Sequence, residues 1–404
     1  MKRFYITILS ALLVFLSGCA ILKTAKLMKA GSVRETTFKT EVPFEMRYGL
    51  IVLKVTIHGK EYSFLLDTGA PNVISKKLAQ QLGIKTVTSR KAGDSQGNKS
   101  SLGFTSIDSI GIGGLQFLST GAAIADLEHS SEIACFHLDG FIGANLMRKA
   151  VWQFDYERNI ITITNDRHSL IIPSNALTIK FKQALSGTPR VDLQLNGQIE
   201  GSVGIDLGSN GDFNCSEETF KTLKKKDSLN YSYTYGFGSS GLYGRGGQDT
   251  SWHAIISTIQ MDSLKLFNQV VTFRKKAAKI VGTNFFRNYR LIFDWSLNEL
   301  TLIPVKPYEN TTEKSFLFSF ILKDQQVFIG STHYKENEGF ESLKLGDQVL
   351  EMDGKNFRTC SIDNYCLLFG RRFENSDTDI SLLVKRGDKE LNIKVAKETV
   401  FLNH

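Results

Sequence analysis

The sequence predicts a mainly β protein: two copies of one folding unit, followed by a smaller mixed α+β segment. Three observations predict it. Short runs rich in β-branched and apolar residues, such as "LIVLKVTI" and "NIITITN", alternate with glycine-containing turns and leave room only for brief helices. The surroundings of Asp67 reappear around Asp206, an offset of 206 − 67 = 139. Residues 315–404 do not continue that repeat, yet carry strand and turn signals of their own.

The chain opens with "MKR", a positive start, then "FYITILSALLVFL", an apolar stretch too short for a confident membrane span. Leu16-Ser17-Gly18-Cys19 follows. Small residues ahead of a cysteine resemble a bacterial lipobox, which implies a signal peptide over residues 1–18 and lipidation of Cys19. The mature chain is then expected to be a cell-envelope lipoprotein, held to a membrane by lipid and facing the periplasm or the cell exterior. Residues 19–42 read as a polar tether.

The repeat holds over a long register. Gly143 falls on Gly282, Asn145 on Asn284, Asp155 on Asp294, Asn159 on Asn298 and Thr162 on Thr301, with no insertion or deletion after Asp67. Each copy has an apolar strand ending in Asp-x-Gly, then a glycine-rich hairpin near Gly93–Gly103 or Gly236–Gly247. An apolar-apolar-Gly turn, a short helix and a closing hairpin complete the unit. The copies are expected at residues 43–168 and 169–306.

An isolated Asp-x-Gly is most simply a turn, where glycine lets the backbone bend. Two of them in duplicated units suggest more. Pseudo-symmetric packing would bring Asp67 and Asp206 together, and two adjacent carboxyls share one proton. One can then activate a water while the other protonates a carbonyl, with neither metal nor cofactor expected. "LLDTGA" at Leu65–Ala70, "DGFIG" at Asp139–Gly143, "IDLGS" at Ile205–Ser209 and "KIVG" at Lys279–Gly282 resemble the aspartic proteases of the pepsin and retroviral protease clan. The short units imply two fused retropepsin-like β-barrel lobes spanning roughly residues 45–305. By that resemblance Asp67 and Asp206 are a catalytic dyad supported by Thr68, Gly69, Leu207 and Gly208. The hairpins carrying Gly97 and Gly241 are flaps over an extended peptide or protein substrate. The clan has Thr or Ser after each Asp, bonding across the lobes. Thr68 fits and Leu207 does not, which keeps a second reading open: an inactive fold that binds peptide or serves as a scaffold.

Beyond the polar "YENTTEKS", the segment 312–404 has strands "FLFSFIL" and "QQVFIGSTHY", an Asp353-Gly354 hairpin signal and a helix cap at Ser361. A last hairpin turns at Arg386-Gly387-Asp388. "LKLGDQVLEMDGKNF" and "ISLLVKRG" resemble a PDZ domain. That implies a groove beside Phe316, Leu317 and Phe318 that accepts a peptide as an added strand. Leu317 stands where such domains carry glycine, so weak capture of a terminal carboxylate is implied.

The formal charge is +8 and the pI about 9. The basic runs Lys224–Lys226 and Arg274–Lys276 read as solvated faces. An anionic lipid surface is the second reading, and nucleic acid is not expected of an exported chain. Cys135, Cys215, Cys360 and Cys366 match no metal-binding spacing and read equally as buried thiols or as bridged residues.

Overall fold

The computed structural model describes residues 20–307, 316–334, 343–370 and 379–397. Cys19 and the apolar leader lie outside them. Among the described residues no helix is long and apolar enough to cross a membrane.

Both copies of the repeat fold alike. In the first, the antiparallel strands Lys39–Arg47, Leu50–Ile57 and Lys60–Asp67 lead to Asp67. Lys60–Asp67 then runs parallel to Gly140–Gly143, with Asp67 opposite Gly143. In the second, Gln198–Asp206 runs parallel to Ile280–Gly282, with Asp206 opposite Gly282. The offset of 139 therefore survives in the hydrogen-bond register. It also survives in the closing hairpins. Asp155 accepts from the backbone N–H groups of Glu157 and Arg158, and Asp294 from those of Ser296 and Leu297. Asn159 and Asn298 both take left-handed backbone, at φ 52° and 55°.

The closing hairpins join the lobes. Val151–Asp155 pairs antiparallel with Tyr289–Asp294, and the central strands of a six-stranded inter-lobe sheet result. Gln153 lies opposite Ile292, and 292 − 153 = 139, so the pseudo-two-fold axis passes through this pair. One hydrophobic core, including Trp152, Phe154, Phe293 and Leu300, runs through both lobes.

The stretch read as a tether is packed. Residues 20–29 form a helix, and Thr24 and Met28, one turn apart on one face, are buried. Lys149 Nζ donates to Lys29 O at 2.9 Å, and Ser32–Val33 adds to the strand Leu115–Ala125. Gly121 permits this docking, since a Cβ there would lie 2.3 Å from Leu27 O. The first lobe thus begins well before residue 43.

The C-terminal segment has its own core around Phe318, Ile329, Val349, Tyr365 and Ile380. The helix Ile362–Phe369 is capped by Ser361, whose Oγ accepts from Asn364 N. Asp353 and Gly354 both have positive φ, as the hairpin signal requires. This unit is not hung on a linker alone. Its strand Gln326–Tyr334 pairs with Tyr231–Phe237 of lobe two, which makes one continuous sheet. A disulfide joins Cys135 of lobe one to Cys366 of the C-terminal helix, 231 residues apart, while Cys215 and Cys360 are buried thiols.

Candidate active site

Asp67 and Asp206 end equivalent strands and meet at the lobe interface, where their carboxyls hydrogen-bond each other. Each Asp also folds back on its own turn. Gly69 N donates to Asp67 Oδ1 at 2.8 Å, and Gly208 N to Asp206 Oδ1 at 2.9 Å. The glycines are required by the partner lobe. A Cβ on Gly69 would sit 2.6 Å from Cγ of Asp206, and one on Gly208 2.5 Å from Cγ of Asp67. Any side chain at either position would push the opposite carboxyl away.

Burial raises the pKa of both carboxyls above the ordinary aspartate value. The rise is larger at Asp67, where the charge of Asp206 and the hydrogen bond between them add to burial. The two carboxyls therefore titrate as a pair that keeps one proton between them.

The supports are asymmetric. Thr68 Oγ1 donates to Ile205 O at 2.8 Å and accepts from Leu207 N at 2.9 Å, so one hydroxyl makes two bonds across the interface. The Leu207 side chain is fully buried in the shared core, and Leu207 O accepts from Thr283 Oγ1 at 2.9 Å. Thr188 Oγ1 adds a further cross-lobe bond to Gly69 O at 3.1 Å. Sequence reasoning missed Thr188, Thr283 and Asn72. Asn72 Oδ1 accepts from Gly143 N at 2.7 Å, and Asn72 N donates to Asn145 Oδ1 at 2.7 Å, which ties the Asp67 turn to the following helix. Asn145 was visible through its repeat partner Asn284. The other three have no like residue at the repeat offset, which left no signal.

Above the carboxyls lies a cleft of about 670 Å³. The first glycine-rich hairpin, Thr88–Gly93 with Lys99–Ile112, contributes Gly93, Asp94, Ser95 and Gln96. The second, between Tyr231–Phe237 and Gln248–Met261, contributes Ser239 to Tyr243. Gly241 lines the cleft. Gly97 sits at its turn with φ 80° but faces the backbone of Lys276 rather than the cleft. The tips are latched together. Tyr243 N donates to Asp94 Oδ2 at 3.0 Å, and Asn98 Nδ2 to Gly244 O at 3.3 Å.

The groove expected beside Phe316, Leu317 and Phe318 is not open. Phe316 and Phe318 are buried in the C-terminal core. The space between strand Phe318–Lys323 and helix Ile362–Phe369 is entered by the lobe-one turn Ser131–Ala134 and by Arg245 of the second glycine-rich hairpin. Glu132 Oε1 accepts from Tyr365 OH at 2.6 Å and also pairs with Arg245, whose Nη2 donates to Phe320 O at 3.4 Å. Large apolar residues at alternating positions of this strand face inward, so they build a core instead of lining a groove. Among the described residues no group of three His, Cys, Asp or Glu side chains could hold a metal ion.

Residues 53–146 match a family model described as aspartyl protease, so the stretch containing Asp67 and most of lobe one is aspartyl protease-like. No curated protein sequence matches the chain. Among solved structures it is similar to the crystal structure of basic 7S globulin from soybean, at 9% identity and a TM-score of 0.40, over 66% of this chain and 95% of that one.

Proposed function

We propose that the protein is an aspartic-type endopeptidase in which Asp67 and Asp206 are the catalytic pair. The observation that carries this is the contact of two burial-shifted carboxyls at a duplicated lobe interface, beneath two latched hairpins. One carboxyl of the pair takes a proton from a water held between them. The other, carrying the proton the pair keeps, donates it to the scissile carbonyl oxygen as the tetrahedral intermediate forms. Thr68 and Thr188 keep the two turns in register. The hairpins part to admit an extended peptide and close to exclude water.

The PDZ-like unit acts here as a brace. It holds the second flap through its sheet and the Ser131–Ala134 turn through the disulfide, which supports an internal segment of this chain as its occupant. Export with a lipid anchor at Cys19 belongs to the same reading. A disulfide between residues 231 apart supports an oxidising compartment.

Incubation of the chain from Ala20 onward with a mixed peptide pool, followed by mass spectrometry of new termini, tests the reading. Cleavage is expected at acid to mildly acid pH, insensitive to chelator and abolished by Asp67→Asn or Asp206→Asn. Undiminished turnover in either variant rejects it, and Cys19→Ser in the full chain is expected to abolish membrane partitioning of the mature protein.

A further inference from the structure

The two sides of the cleft differ in chemistry. On the lobe-one side Leu65, Leu102, Phe104, Phe136 and Phe141 line it, joined by Phe369 of the C-terminal helix, and together they form a wide apolar wall. On the lobe-two side stand Arg190, Arg274 and Lys279. The repeat makes the contrast explicit at one position. Leu65 falls on Gly204, since 204 − 65 = 139. Where lobe one fills the space with leucine, lobe two leaves it to a guanidinium. Arg190 pairs with Gly204 in the sheet, and its Nη1 would lie 3.8 Å from a Cβ there, two residues before Asp206.

Both arginines are anchored by neutral oxygens, and Asp249 attracts Arg274 from beyond ion-pair distance. Arg190 donates through Nε to Ser202 Oγ at 3.0 Å and through Nη2 to Ser202 O at 2.6 Å. Arg274 donates from Nη1 to Ser239 Oγ of the second flap at 3.0 Å. Gly238 makes room for that side chain, since a Cβ there would lie 2.6 Å from Arg274 Nη2. Lys279 is paired with Glu200 at 3.3 Å. Among the described residues no carboxylate forms an ion pair with Arg190 or Arg274. Two partly buried guanidinium groups thus line the cleft, Arg190 with no carboxylate partner among the described residues and Arg274 with only the more distant Asp249, and both keep donors for an anion.

We infer that the cleft selects peptides with a large apolar residue on one side of the carboxyl pair and an acidic residue, Asp or Glu, on the other. The acidic side chain is received by Arg190 and Arg274. This inference rests on the peptidase reading and deepens it.

The test uses the full chain and matched peptides. Cleavage of a mixed library is expected to enrich acidic residues at one position and Leu or aromatic residues across the cut from it. Replacing that Glu by Gln in a good substrate is expected to lower kcat/KM by about tenfold or more. The Arg190→Gln/Arg274→Gln double variant is expected to bring the Glu-to-Gln ratio near one, while Arg274→Lys keeps a preference. Each arginine replaced singly guards against a folding defect in the double variant, and melting is followed throughout. Absence of acidic enrichment overturns the inference, and so does an unchanged ratio in a folded double variant. If nothing is cleaved, the peptidase reading fails by itself. The labelled Glu and Gln peptides are then compared for binding to the Asp67→Asn chain by fluorescence polarisation. Tighter binding of the Glu peptide, lost on replacing the arginines, supports the acidic subsite, and equal affinities overturn it.

Discussion

At the scale of single residues, Leu207 decides what the duplication tolerated. The sequence suggests that half of the grip between lobes is lost there. The remaining half is stronger than the residue type implies, because Thr68 uses both its proton and its lone pair across the interface. Its acceptor role needs only the backbone N–H of residue 207, which no side-chain reading reveals. Leu207→Thr is therefore expected to destabilise the fold by about 2–4 kcal/mol through lost packing and an unpaired hydroxyl. Urea denaturation measures that loss, while turnover is expected to fall by less than about tenfold. The carboxyl pair gives a second prediction. Asp67 has a raised pKa in the folded state, so the native chain holds a proton that the unfolded chain releases. Stability on this account is greatest at acid pH and declines as pH rises through the folded pKa. Asp67→Asn removes the decline. Its melting temperature relative to the parent chain is expected to rise from about pH 4 to pH 7, where aspartate is ordinarily ionised. A constant difference over that range would contradict a raised pKa.

Among elements, the strands and hairpins of the repeat were legible because period-2 patterning and Asp-x-Gly or Asn turns act locally. Residues 20–29 were not, because a short helix with a few apolar side chains looks polar until Gly121 offers a close landing site. The second glycine-rich hairpin is likewise held by contacts invisible in its own sequence. Arg245 and Ser240 of that hairpin converge with Tyr365 and Ser130 on Glu132. Burial alone would raise the Glu132 pKa, but the Arg245 charge and the hydroxyl donors hold it at about 2. A depressed carboxylate adds stability above its unfolded pKa and loses it as pH falls through the folded value. Glu132→Gln is expected to cost about 1–3 kcal/mol at neutral pH, because Arg245 is left partly buried without its partner. The deficit is expected to shrink from about pH 4.5 downward and vanish near pH 2. Chemical denaturation across that range checks both size and sign.

For the whole molecule, the two-lobed plan and the meeting of Asp67 with Asp206 could be inferred from the offset of 139, because a duplication prints its symmetry in the chain. The arrangement of the third unit could not. Strand pairing between Tyr233–Gly236 and Ser331–Tyr334 and the Cys135–Cys366 bridge are long-range choices with no local signature. Cys366→Ser is expected to lower stability by about 2–5 kcal/mol, read from equilibrium unfolding with and without reductant. The parent chain should fall to the variant's level only when reduced. The pair Gln153 and Ile292 on the pseudo-two-fold axis has an evolutionary consequence. In a homodimeric ancestor a residue on that axis would have met its own copy. Here Gln153 meets Ile292, and buried Asp155 is matched by Arg290 at 3.1 Å. If lobe one paired with itself, Gln153 would face Gln153 across the axis, and Val151 would stand where Arg290 now serves Asp155. The two halves now bring different residues to their shared axis, so neither can remake this seam by pairing with itself.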